Sequence, residues 1–444
     1  MSSSNTPAQA IILAAGEGTR MRSALPKVLH KVGHLPLIAH VMNAAAGAGL
    51  SHPRLVLGHG RAQVEADLQA RGFAFDVAEQ TERRGTGHAV MMVRDAGHLP
   101  DGPVMVLLGD APLIKPGLIR DALQRLEQGA DVVVVGFEAA DPTGYGRLIT
   151  SGDSLDAIVE EKDASAEQRK IALCNSGLMA FSAGTLEPLL GEIRNDNAKG
   201  EFYLTDAIAI AGKAGKKVTY TLADEADLAG VNNRADLAFV EAEFQRRRRH
   251  ELMLSGVTML APNTITLAHD TQIAPDVILE PNIVFGPKVA IESGAIILAF
   301  CHLEGAHVAS GATIGPFARL RPGADIGDAA KVGNFCEVKN ADIAAGAKVN
   351  HLSYIGDASI GEKANIGAGT ITCNYDGVNK HKTTVGKNAF IGSNSSLVAP
   401  VSVEDGGYVG SGSVITKDVP SGDLAIGRGR QVNLAGRAPK LTKK

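Results

Sequence analysis

The sequence contains no tryptophan, and aromatic residues make up only 4% of its 444 residues. Its cysteines are also few and far apart, and no two of them form a Cys-x-x-Cys pair: Cys174, Cys301, Cys336 and Cys373. This spacing argues against a disulfide framework and against a cysteine-based zinc site. It favours a reducing compartment, and a core made of small and aliphatic side chains.

No excess of one charge is present, because 44 basic and 48 acidic residues give a net charge of −4. This balance argues against a strongly basic nucleic-acid binder and against a polybasic membrane protein. The apolar runs, such as residues 104–108, are far shorter than the ~18 residues of a membrane span. The polar residues 1–9 do not resemble a signal peptide. We therefore expect a cytoplasmic protein with no nucleic-acid or membrane partner.

The first half of the chain alternates short apolar runs with amphipathic stretches. The runs predict buried strands at residues 10–14, 54–58, 104–109 and 131–137, and the amphipathic stretches predict helices at residues 35–48, 63–69 and 119–128. Continuous apolar strands alternating with helices are typical of a mostly parallel sheet covered on both faces. The expected class is α/β, in a domain of residues 1–231.

Residues 232–255 have no proline and no glycine and are rich in acids and bases, so they predict one long exposed linker helix. The arginine run at residues 246–249 has two interpretations. It forms an anion site, or it is a solvated helix face with pairing to Glu241 and Glu243. The second interpretation is favoured, because charge runs on helices are usually solvated.

The second half, residues 256–444, has a period of six. Aliphatic residues recur at this spacing, with single-residue phase slips, from Ile314 to Ile366 and again from Val385 to Ile415, and the next residue is often glycine. A helix needs returns at 3–4 residues and a strand at 2, so neither fits. The period predicts a hexapeptide β-helix, a triangular coil with its aliphatic side chains inside.

The repeat breaks at residues 373–384, which contain Asn374 and Tyr375, and this break predicts an extruded loop that carries function. Basic residues follow position 422: Arg428, Arg430, Arg437, Lys440, Lys443 and Lys444. This tail either binds an anionic ligand or is a solvated end.

A glycine-rich turn follows the first predicted strand, in the string LAAGEGTRM, and a Pro-Lys pair follows soon after. Gly16 and Gly18 would let backbone N–H groups approach phosphate oxygens, and Arg20 and Lys27 would neutralise a polyphosphate. The string does not match the P-loop pattern, and no acidic residue lies at the position that a Rossmann fingerprint requires. Asp110 ends another predicted strand, at the sheet edge where ligands bind, and one carboxylate with substrate phosphates is a usual Mg²⁺ site.

In the repeat half, His351 stands near several groups suited to a sugar phosphate. Arg321 and Lys339 directly follow repeat aliphatics, so their side chains should project outward from a coil edge. Histidine is suited to take a proton from an amine that attacks a thioester. Glu337 either orients His351 or pairs with Lys339.

Several motifs give the chain a resemblance to a known family. The first half resembles sugar-nucleotide pyrophosphorylases in LAAGEGTRM, LPKVL, GTGHA, LLGDAPL, DPTGYGR, IVEEKDA, CNSGL and GVNNR. With the repeats, residues 9–430 resemble the bacterial bifunctional N-acetylglucosamine-1-phosphate uridyltransferase/glucosamine-1-phosphate acetyltransferases. The resemblance implies a Rossmann-like nucleotidyltransferase domain, a linker helix and a left-handed parallel β-helix.

The resemblance also implies two reactions of UDP-N-acetylglucosamine synthesis, which supplies peptidoglycan and lipid A precursors. Acetyl transfer from acetyl-CoA to glucosamine-1-phosphate comes first, and Mg²⁺-dependent uridylyl transfer from UTP, with release of pyrophosphate, follows. The family is trimeric, with acetyl sites between neighbouring prisms, so we expect a homotrimer. Glu17 stands where family members often have lysine, and we expect its side chain to point to solvent.

For the nucleotide and sugar, the resemblance implies contacts from Leu13, Ala14, Ala15, Gly16, Arg20, Lys27, Gln80, Gly85, Thr86, Gly144, Glu160 and Asn175, with Asp110 and Asn232 on Mg²⁺. For acetyl transfer it implies His351 as the base. The acceptor would contact Arg321, Lys339, Tyr354 and Asn365, and acetyl-CoA would contact Ala368, Asn374, Tyr375, Ser393, Ser411 and Arg428.

Two other functions stay open at this stage. One is a pyrophosphorylase with a single activity, whose β-helix only assembles or regulates; it would not require His351, Tyr354, Asn374 and Tyr375 together. The other is a non-catalytic module that binds nucleotides as a signal, which has no use for Asp110 and Asn232 together with Lys27.

Overall fold

A computed structural model describes residues 6–197 and 199–437 of the chain. Lys440, Lys443 and Lys444 of the basic tail lie outside the described residues. The chain divides into two compact units, the first ending at Phe244 and the second beginning at Gln245. The two units are an α/β unit and a β-helix, which confirms the predicted fold class.

The first unit holds one large sheet and the helices around it. Its strands are β1 (Gln9–Leu13), β2 (Lys31–Val32), β3 (Leu35–Pro36), β4 (Arg54–Leu57), β5 (Asp76–Glu79), β6 (Val104–Leu108), β7 (Val132–Glu138), β8 (Arg147–Ser151), β9 (Ser154–Val159), β10 (Leu173–Phe181) and β11 (Val218–Leu222). Its helices are α1 (Leu37–Gly47), α2 (Arg61–Ala70), α3 (Thr86–Asp95), α4 (Pro116–Glu127), α5 (Leu186–Glu192) and α6 (Asp206–Lys213).

The nine strands of the large sheet run in the order β5-β4-β1-β6-β10-β7-β11-β9-β8. β5, β4, β1 and β6 pair in parallel; the apolar runs predicted β4, β1 and β6 but not β5. β7 and β11 also pair in parallel, so the predicted mostly parallel sheet is confirmed, but β10 runs antiparallel to both β6 and β7, and β8 and β9 form an antiparallel hairpin. A strand of apolar residues is buried equally well whether it runs parallel or antiparallel to its neighbours, so the sequence pattern does not reveal the direction of the strand.

Two apolar clusters cover the two faces of this sheet, because successive side chains of a strand point to opposite sides. Ile12 belongs to one cluster and Ile11 to the other, and both are fully buried. Leu13 and Leu108 are paired at the carboxyl ends of β1 and β6. The register therefore places the residues that follow β1 and β6 at one edge of the sheet, where open α/β sheets bind ligands.

A long helix, α7 (Arg234–Leu254), follows the first unit's last loop. Its start is capped by Asn233, whose amide oxygen accepts hydrogen bonds from the backbone N–H groups of Ala235 and Asp236, while the Asp236 carboxylate accepts from those of Asn232 and Asn233. In the second unit, Arg248 and Arg249 donate to the carbonyl oxygens of Thr271 and Ile265. The favoured interpretation of the arginine run as a solvated face is therefore wrong for these two residues, which tie the helix to the first coil.

The second unit is a stack of very short parallel strands. They are β12 (Thr258–Met259), β13 (Gln272–Ile273), β14 (Ile278–Leu279), β15 (Val284–Phe285), β16 (Ala290–Ile291), β17 (Ile296–Ile297), β18 (His302–Leu303), β19 (Ala306–Val308), β20 (Thr313–Ile314), β21 (Arg319–Leu320), β22 (Ala324–Ile326), β23 (Lys331–Asn334), β24 (Glu337–Ile343), β25 (Lys348–His351), β26 (Tyr354–Ile360), β27 (Asn365–Ile366), β28 (Ile371–Cys373), β29 (Thr383–Val385), β30 (Phe390–Ile391), β31 (Ser396–Val398), β32 (Val401–Val403), β33 (Tyr408–Val409), β34 (Val414–Ile415) and β35 (Leu424–Ala425).

The aliphatic residues of the six-residue repeat form the interior of this stack. Leu320, Val338 and Ile355 lie side by side on successive coils, and each is fully buried. The next coil cannot tolerate a side chain at some of the glycines: a Cβ atom at Gly333 would lie 2.0 Å from the carbonyl oxygen of Asn350. β28 ends at Cys373 and β29 begins at Thr383, so residues 374–382 form the predicted loop outside the stack.

Candidate active sites

A cavity of about 420 Å³ opens at the edge of the first unit's sheet, beyond β1 and β6. Predicted nucleotide residues that line it are Leu13, Ala14, Ala15, Gly16, Lys27, Gln80, Gly85 and Thr86, together with Asp110 and Glu160. Gly18 has a φ of 65°, and a Cβ atom there would lie 2.5 Å from the Cβ atom of Lys27. The glycine therefore lets the loop of residues 14–18, called the phosphate loop below, pack directly against Lys27.

Two cation–oxygen contacts stand at this edge. The Lys27 ammonium pairs with the Asp110 carboxylate, and both side chains are largely buried. A guanidinium N–H of Arg20 donates to the amide oxygen of Asn232, at 3.0 Å. The backbone N–H of Val231 donates to the carbonyl oxygen of Asp110, at 2.9 Å, so the predicted metal ligands Asp110 and Asn232 come from segments joined by a hydrogen bond.

The donor set at this edge fits Mg²⁺. A carboxylate and an amide oxygen are ligands that this ion accepts, and it usually completes its shell with phosphates and water. Both oxygens already face cationic groups, Lys27 and Arg20, so the position stabilises positive charge. No cluster of three His, Cys, Asp or Glu side chains able to hold a metal occurs among residues 6–197 and 199–437.

Gln80 is held rigidly in the cavity wall. Its side-chain nitrogen lies 3.2 Å from the carbonyl oxygen of Gly85 and 3.0 Å from Nδ1 of His88, and the residue is 6% exposed. Gly85 adopts a φ of 103°, and a Cβ atom there would lie 2.4 Å from the carbonyl oxygen of Phe202. Its backbone is therefore fixed close to the segment that closes this side of the cavity.

The predicted sugar contacts gather around Gly146. A Cβ atom at that glycine would lie 3.5 Å from Oε1 of Glu160 and 3.6 Å from Cβ of Asn175. Gly144 stands two residues earlier, with a φ of 88°. Burial raises the pKa of Glu160, although the hydroxyl of Thr205 donates to its carboxylate at 3.2 Å.

The cavity wall also contains residues that sequence reasoning missed. These are Val28, Arg83, Ala89, Leu108, Lys199, Glu201 and Tyr203. Glu17 was expected to point to solvent; its side chain is 37% exposed, but it is also paired with Arg83, which the sequence did not predict. In the sequence, the two arginines directly before the Gly85-Thr86 motif could have indicated that Arg83 lies in the cavity wall.

In the second unit, His351 lies on the surface of the stack. Its Nδ1 atom is 2.9 Å from the Oδ1 atom of Asn334, the residue paired with it on the preceding coil. Glu337 was expected to orient His351 or to pair with Lys339, and both expectations are wrong. Its carboxylate accepts a hydrogen bond of 2.8 Å from Arg321.

The predicted acceptor residues are divided between two sheets. Arg321, Lys339 and Tyr354 follow or belong to the neighbouring strands β21, β24 and β26 of one sheet. Asn365 lies on β27 of the other sheet, paired with Lys348. Within one chain, therefore, the structure brings the first three together but does not place Asn365 in their ladder.

The loop of residues 374–382 brings a further cation to this group. Lys339 lies 4.0 Å from the Asp357 carboxylate, which also accepts a hydrogen bond from the side chain of Asn374. The nearby Lys339 ammonium lowers the pKa of Lys380, so the two ammonium groups are close. Sequence reasoning missed Lys380, because only the loop's fold directs it back to the coil.

The predicted acetyl-CoA contacts form a column on successive coils. The N–H of Asn394 donates to the carbonyl oxygen of Ala368 at 2.7 Å, and the N–H of Gly412 donates to that of Ser393 at 2.7 Å. A guanidinium N–H of Arg428 donates to the carbonyl oxygen of Ser411. Tyr375 stands apart in the loop, with its ring 60% exposed.

Comparison with known proteins agrees with both halves. The family model "MobA-like NTP transferase domain" matches residues 10–173, and "Hexapeptide repeat of succinyl-transferase" matches residues 382–417. The chain is 57% identical to the bifunctional protein GlmU of Sinorhizobium fredii over 432 residues, covering 97% of this chain and 95% of that protein. It is 54% identical to the GlmU of Jannaschia sp. over 443 residues, covering 99% and 97%. The chain belongs to the GlmU family of bifunctional proteins.

Membership of the GlmU family confirms the predicted bifunctional enzyme of UDP-N-acetylglucosamine synthesis, a nucleotidyltransferase joined to an acetyltransferase that serves cell-wall precursors. The two alternatives, a pyrophosphorylase with a single activity and a non-catalytic nucleotide-binding module, are wrong because each lacks at least one of the two activities. No helix in the described part of the chain is both long and apolar enough to cross a membrane.

Proposed function

We propose that uridylyl transfer takes place in the cavity of the first unit and acetyl transfer at His351 of the second. The first assignment rests on one observation: the phosphate loop, Lys27 and Asp110 line one cavity, and a backbone hydrogen bond joins the segments of Asp110 and Asn232. The observation that carries the second is an exposed histidine with one ring nitrogen held by an amide oxygen. The two sets of residues lie in separate units of the chain.

For uridylyl transfer, the backbone of residues 13–16 and the fixed Gln80 amide hold uracil, and Gly85 and Thr86 contact the nucleotide. Arg20 and Lys27 face the phosphates, while Gly144, Glu160 and Asn175 hold the sugar. A phosphate oxygen of N-acetylglucosamine-1-phosphate attacks the α-phosphorus of UTP, and the bond to the leaving pyrophosphate breaks. The protein needs no covalent nucleophile, because it acts by positioning and by cationic stabilisation of the leaving group.

Asp110 and Asn232 would hold Mg²⁺ at this edge. The ion would neutralise charge on the phosphate oxygens when it is bound. Lys27 and Arg20, which face these two oxygens in the structure, would then be available to the phosphates. Asp110 and Asn232 thus pair with Lys27 and Arg20 in the structure, and they would bind Mg²⁺ when the ion is present.

For acetyl transfer, the contact with Asn334 decides which ring nitrogen of His351 is the base. An amide oxygen can only accept, so Nδ1 carries the proton and Nε2 keeps its lone pair. Nε2 takes a proton from the amine of glucosamine-1-phosphate as the amine attacks the thioester carbon of acetyl-CoA. The C–S bond then breaks, the proton held on Nε2 passes to the sulfur, and coenzyme A leaves as the thiol. Tyr354 helps to stabilise the tetrahedral oxyanion.

Around this base, Arg321 and Lys339 bind the phosphate of glucosamine-1-phosphate. Ala368, Asn374, Tyr375, Ser393, Ser411 and Arg428 hold acetyl-CoA. Asn365 completes the acceptor site. It lies on β27, next to β25 of His351 in one sheet, whereas Tyr354 lies on another sheet, so the site combines residues from two faces of the stack. A stack of exposed rings beside the His351 corner supports assembly into a homotrimer; there the centroid of Phe317 lies 4.8 Å from that of Phe300 and 5.1 Å from that of Phe335.

We also place the protein in the cytoplasm, where UTP and acetyl-CoA are available and thiols stay reduced. The four cysteines are free in the structure. One assay tests the two reactions together, with the whole chain, glucosamine-1-phosphate, acetyl-CoA, UTP and Mg²⁺. Free thiol and pyrophosphate should both appear, and omission of acetyl-CoA should suppress both products. Pyrophosphate release that is as fast without acetyl-CoA would contradict the proposed order of reactions.

A further inference from the structure

An ion pair beside the nucleotide cavity is used by neither the motifs nor the mechanism. Glu17 lies in the phosphate loop, between Gly16 and Gly18, and its carboxylate accepts a hydrogen bond from a guanidinium N–H of Arg83. Arg83 itself lines the cavity. The pair therefore joins the phosphate loop to the segment between Gln80 and Gly85.

Arg83 differs from the other cations of the cavity wall in what holds it. Lys27 pairs with the largely buried Asp110 carboxylate, and Lys199 stands 5.9 Å from the ring of Tyr203. Arg83 is held only at the surface, where its own side chain is 49% exposed and that of Glu17 is 37% exposed. Exposed ion pairs contribute little net stabilisation, so this contact opens at small cost.

A bound polyphosphate would compete directly for this guanidinium. The phosphate loop offers backbone N–H groups to phosphate oxygens, and Glu17 belongs to the same loop, so its partner already stands next to the expected anion. A phosphate offers a guanidinium a paired, multiply charged acceptor that a single exposed carboxylate does not match. The same anion would repel the Glu17 carboxylate.

We propose that Arg83 is a phosphate-binding residue of the uridylyl-transfer site, and that Glu17 holds it beside the cavity until the polyphosphate of UTP takes its place. This inference rests on the proposed function of the cavity. Arg83 belongs to the binding machinery on this account, because it would touch substrate. Glu17 is a positioning residue that acts through Arg83.

The first test is uridylyl-transfer kinetics of the whole chain with Arg83→Ala and Arg83→Lys. Loss of the guanidinium should raise KM for UTP about tenfold, with a smaller rise in Arg83→Lys, while KM for N-acetylglucosamine-1-phosphate stays nearly constant. The matched control is Arg84→Ala, which removes the same charge one residue away. Arg84 packs over the ring of Phe202 at 5.0 Å, and its loss should change KM for UTP less than about twofold. Equal effects of the two alanine variants would overturn the proposal.

The second test is the coupling between the two partners. Glu17→Gln should lower KM for UTP about threefold, because it releases Arg83 and removes a repelling charge. The same substitution in an Arg83→Ala background should give a smaller gain, since only the repulsion is then relieved. An equal gain in both backgrounds would show that Glu17 does not act through Arg83.

A third measurement does not need turnover. Calorimetric titration of the whole chain with inorganic pyrophosphate and Mg²⁺ should show weaker binding in Arg83→Ala and unchanged binding in Arg84→Ala. Unchanged pyrophosphate binding in Arg83→Ala would overturn the role of Arg83. A wild-type chain that binds pyrophosphate but releases none from UTP would instead contradict the proposed function. Urea unfolding of the same variants, followed by circular dichroism, reports whether the first unit is folded.

Discussion

The Nδ1 atom of His351 lies 2.9 Å from the Oδ1 atom of Asn334, on the preceding coil of the parallel ladder. The two residues lie seventeen positions apart in sequence, and only the β-helix places them side by side. Because the amide oxygen can only accept, this contact fixes the tautomer of the proposed base and the direction of its ring. The coil repeat therefore supplies both a scaffold and a partner for catalysis.

Asn334→Ala should lower kcat for acetyl transfer by about tenfold to a hundredfold, because the imidazole loses the contact that fixes its tautomer and orientation. Release of free thiol from acetyl-CoA measures the effect. Pyrophosphate release in the other unit should stay at the wild-type rate. Unchanged acetyl transfer in Asn334→Ala would mean that the ring is held by something else.

His351→Ala and Asp110→Ala should give opposite patterns of loss. Without its proposed base, the first variant should lose acetyl transfer by about a thousandfold or more and keep uridylyl transfer. The second should lose uridylyl transfer and keep acetyl transfer, because it removes a metal ligand and the partner of Lys27. A folded variant that loses both activities would contradict two independent sites.

The raised pKa of Glu160 predicts how sugar binding depends on pH. Burial is the main cause, and the neighbouring carboxylates of Asp163 and Glu201 add to it. The group therefore takes up its proton at a higher pH than an ordinary glutamate, and it loses its capacity to accept two hydrogen bonds from sugar hydroxyls as the pH falls. KM for N-acetylglucosamine-1-phosphate should rise as the pH is lowered towards the range in which an ordinary glutamate takes up its proton, and the rise should begin above that range. Glu160→Gln should have a high KM that is nearly independent of pH, and the same slope in this variant would assign the effect elsewhere.

Arg147→Ala should destabilise the first unit by about 2–3 kcal/mol. Arg147 is 1% exposed, and its guanidinium donates to Glu161 at 2.7 Å and to the carbonyl oxygen of Arg169 at 3.2 Å. The substitution leaves these acceptors without their donor and opens a cavity. Urea unfolding followed by circular dichroism measures the change. Arg169→Ala, whose exposed side chain lies 3.8 Å from the same glutamate, is the control and should cost far less.

The sequence predicted best those features that depend on local spacing. The six-residue period gave the β-helix, because each aliphatic position has to meet its equivalents above and below. The apolar runs gave β1, β4 and β6, and the glycine string gave the phosphate loop. Spacing alone did not reveal the antiparallel direction of β10, because a strand buried on both faces has the same pattern in either direction.

Side-chain partners were harder to predict, because they depend on where the backbone turns. Glu337 was expected beside His351 or Lys339, but its carboxylate accepts a hydrogen bond from Arg321 on the preceding coil. Glu17 and Arg83 are 66 residues apart, and no repeat or motif links them. Site residues that sit on strands and tight loops were thus easier to place than their partners.

Lys380 should bind the phosphate of the acetyl acceptor together with Lys339. The two ammonium groups lie so close that Lys339 lowers the pKa of Lys380, and a phosphate between them would relieve this repulsion. Lys380→Ala should raise KM for glucosamine-1-phosphate about tenfold and leave KM for acetyl-CoA nearly constant. Lys382→Ala removes the same charge from an exposed position two residues later, and it should have little effect. A parallel rise in KM for acetyl-CoA would show that Lys380 contacts the coenzyme instead, because its phosphates are the other anions that the loop could meet.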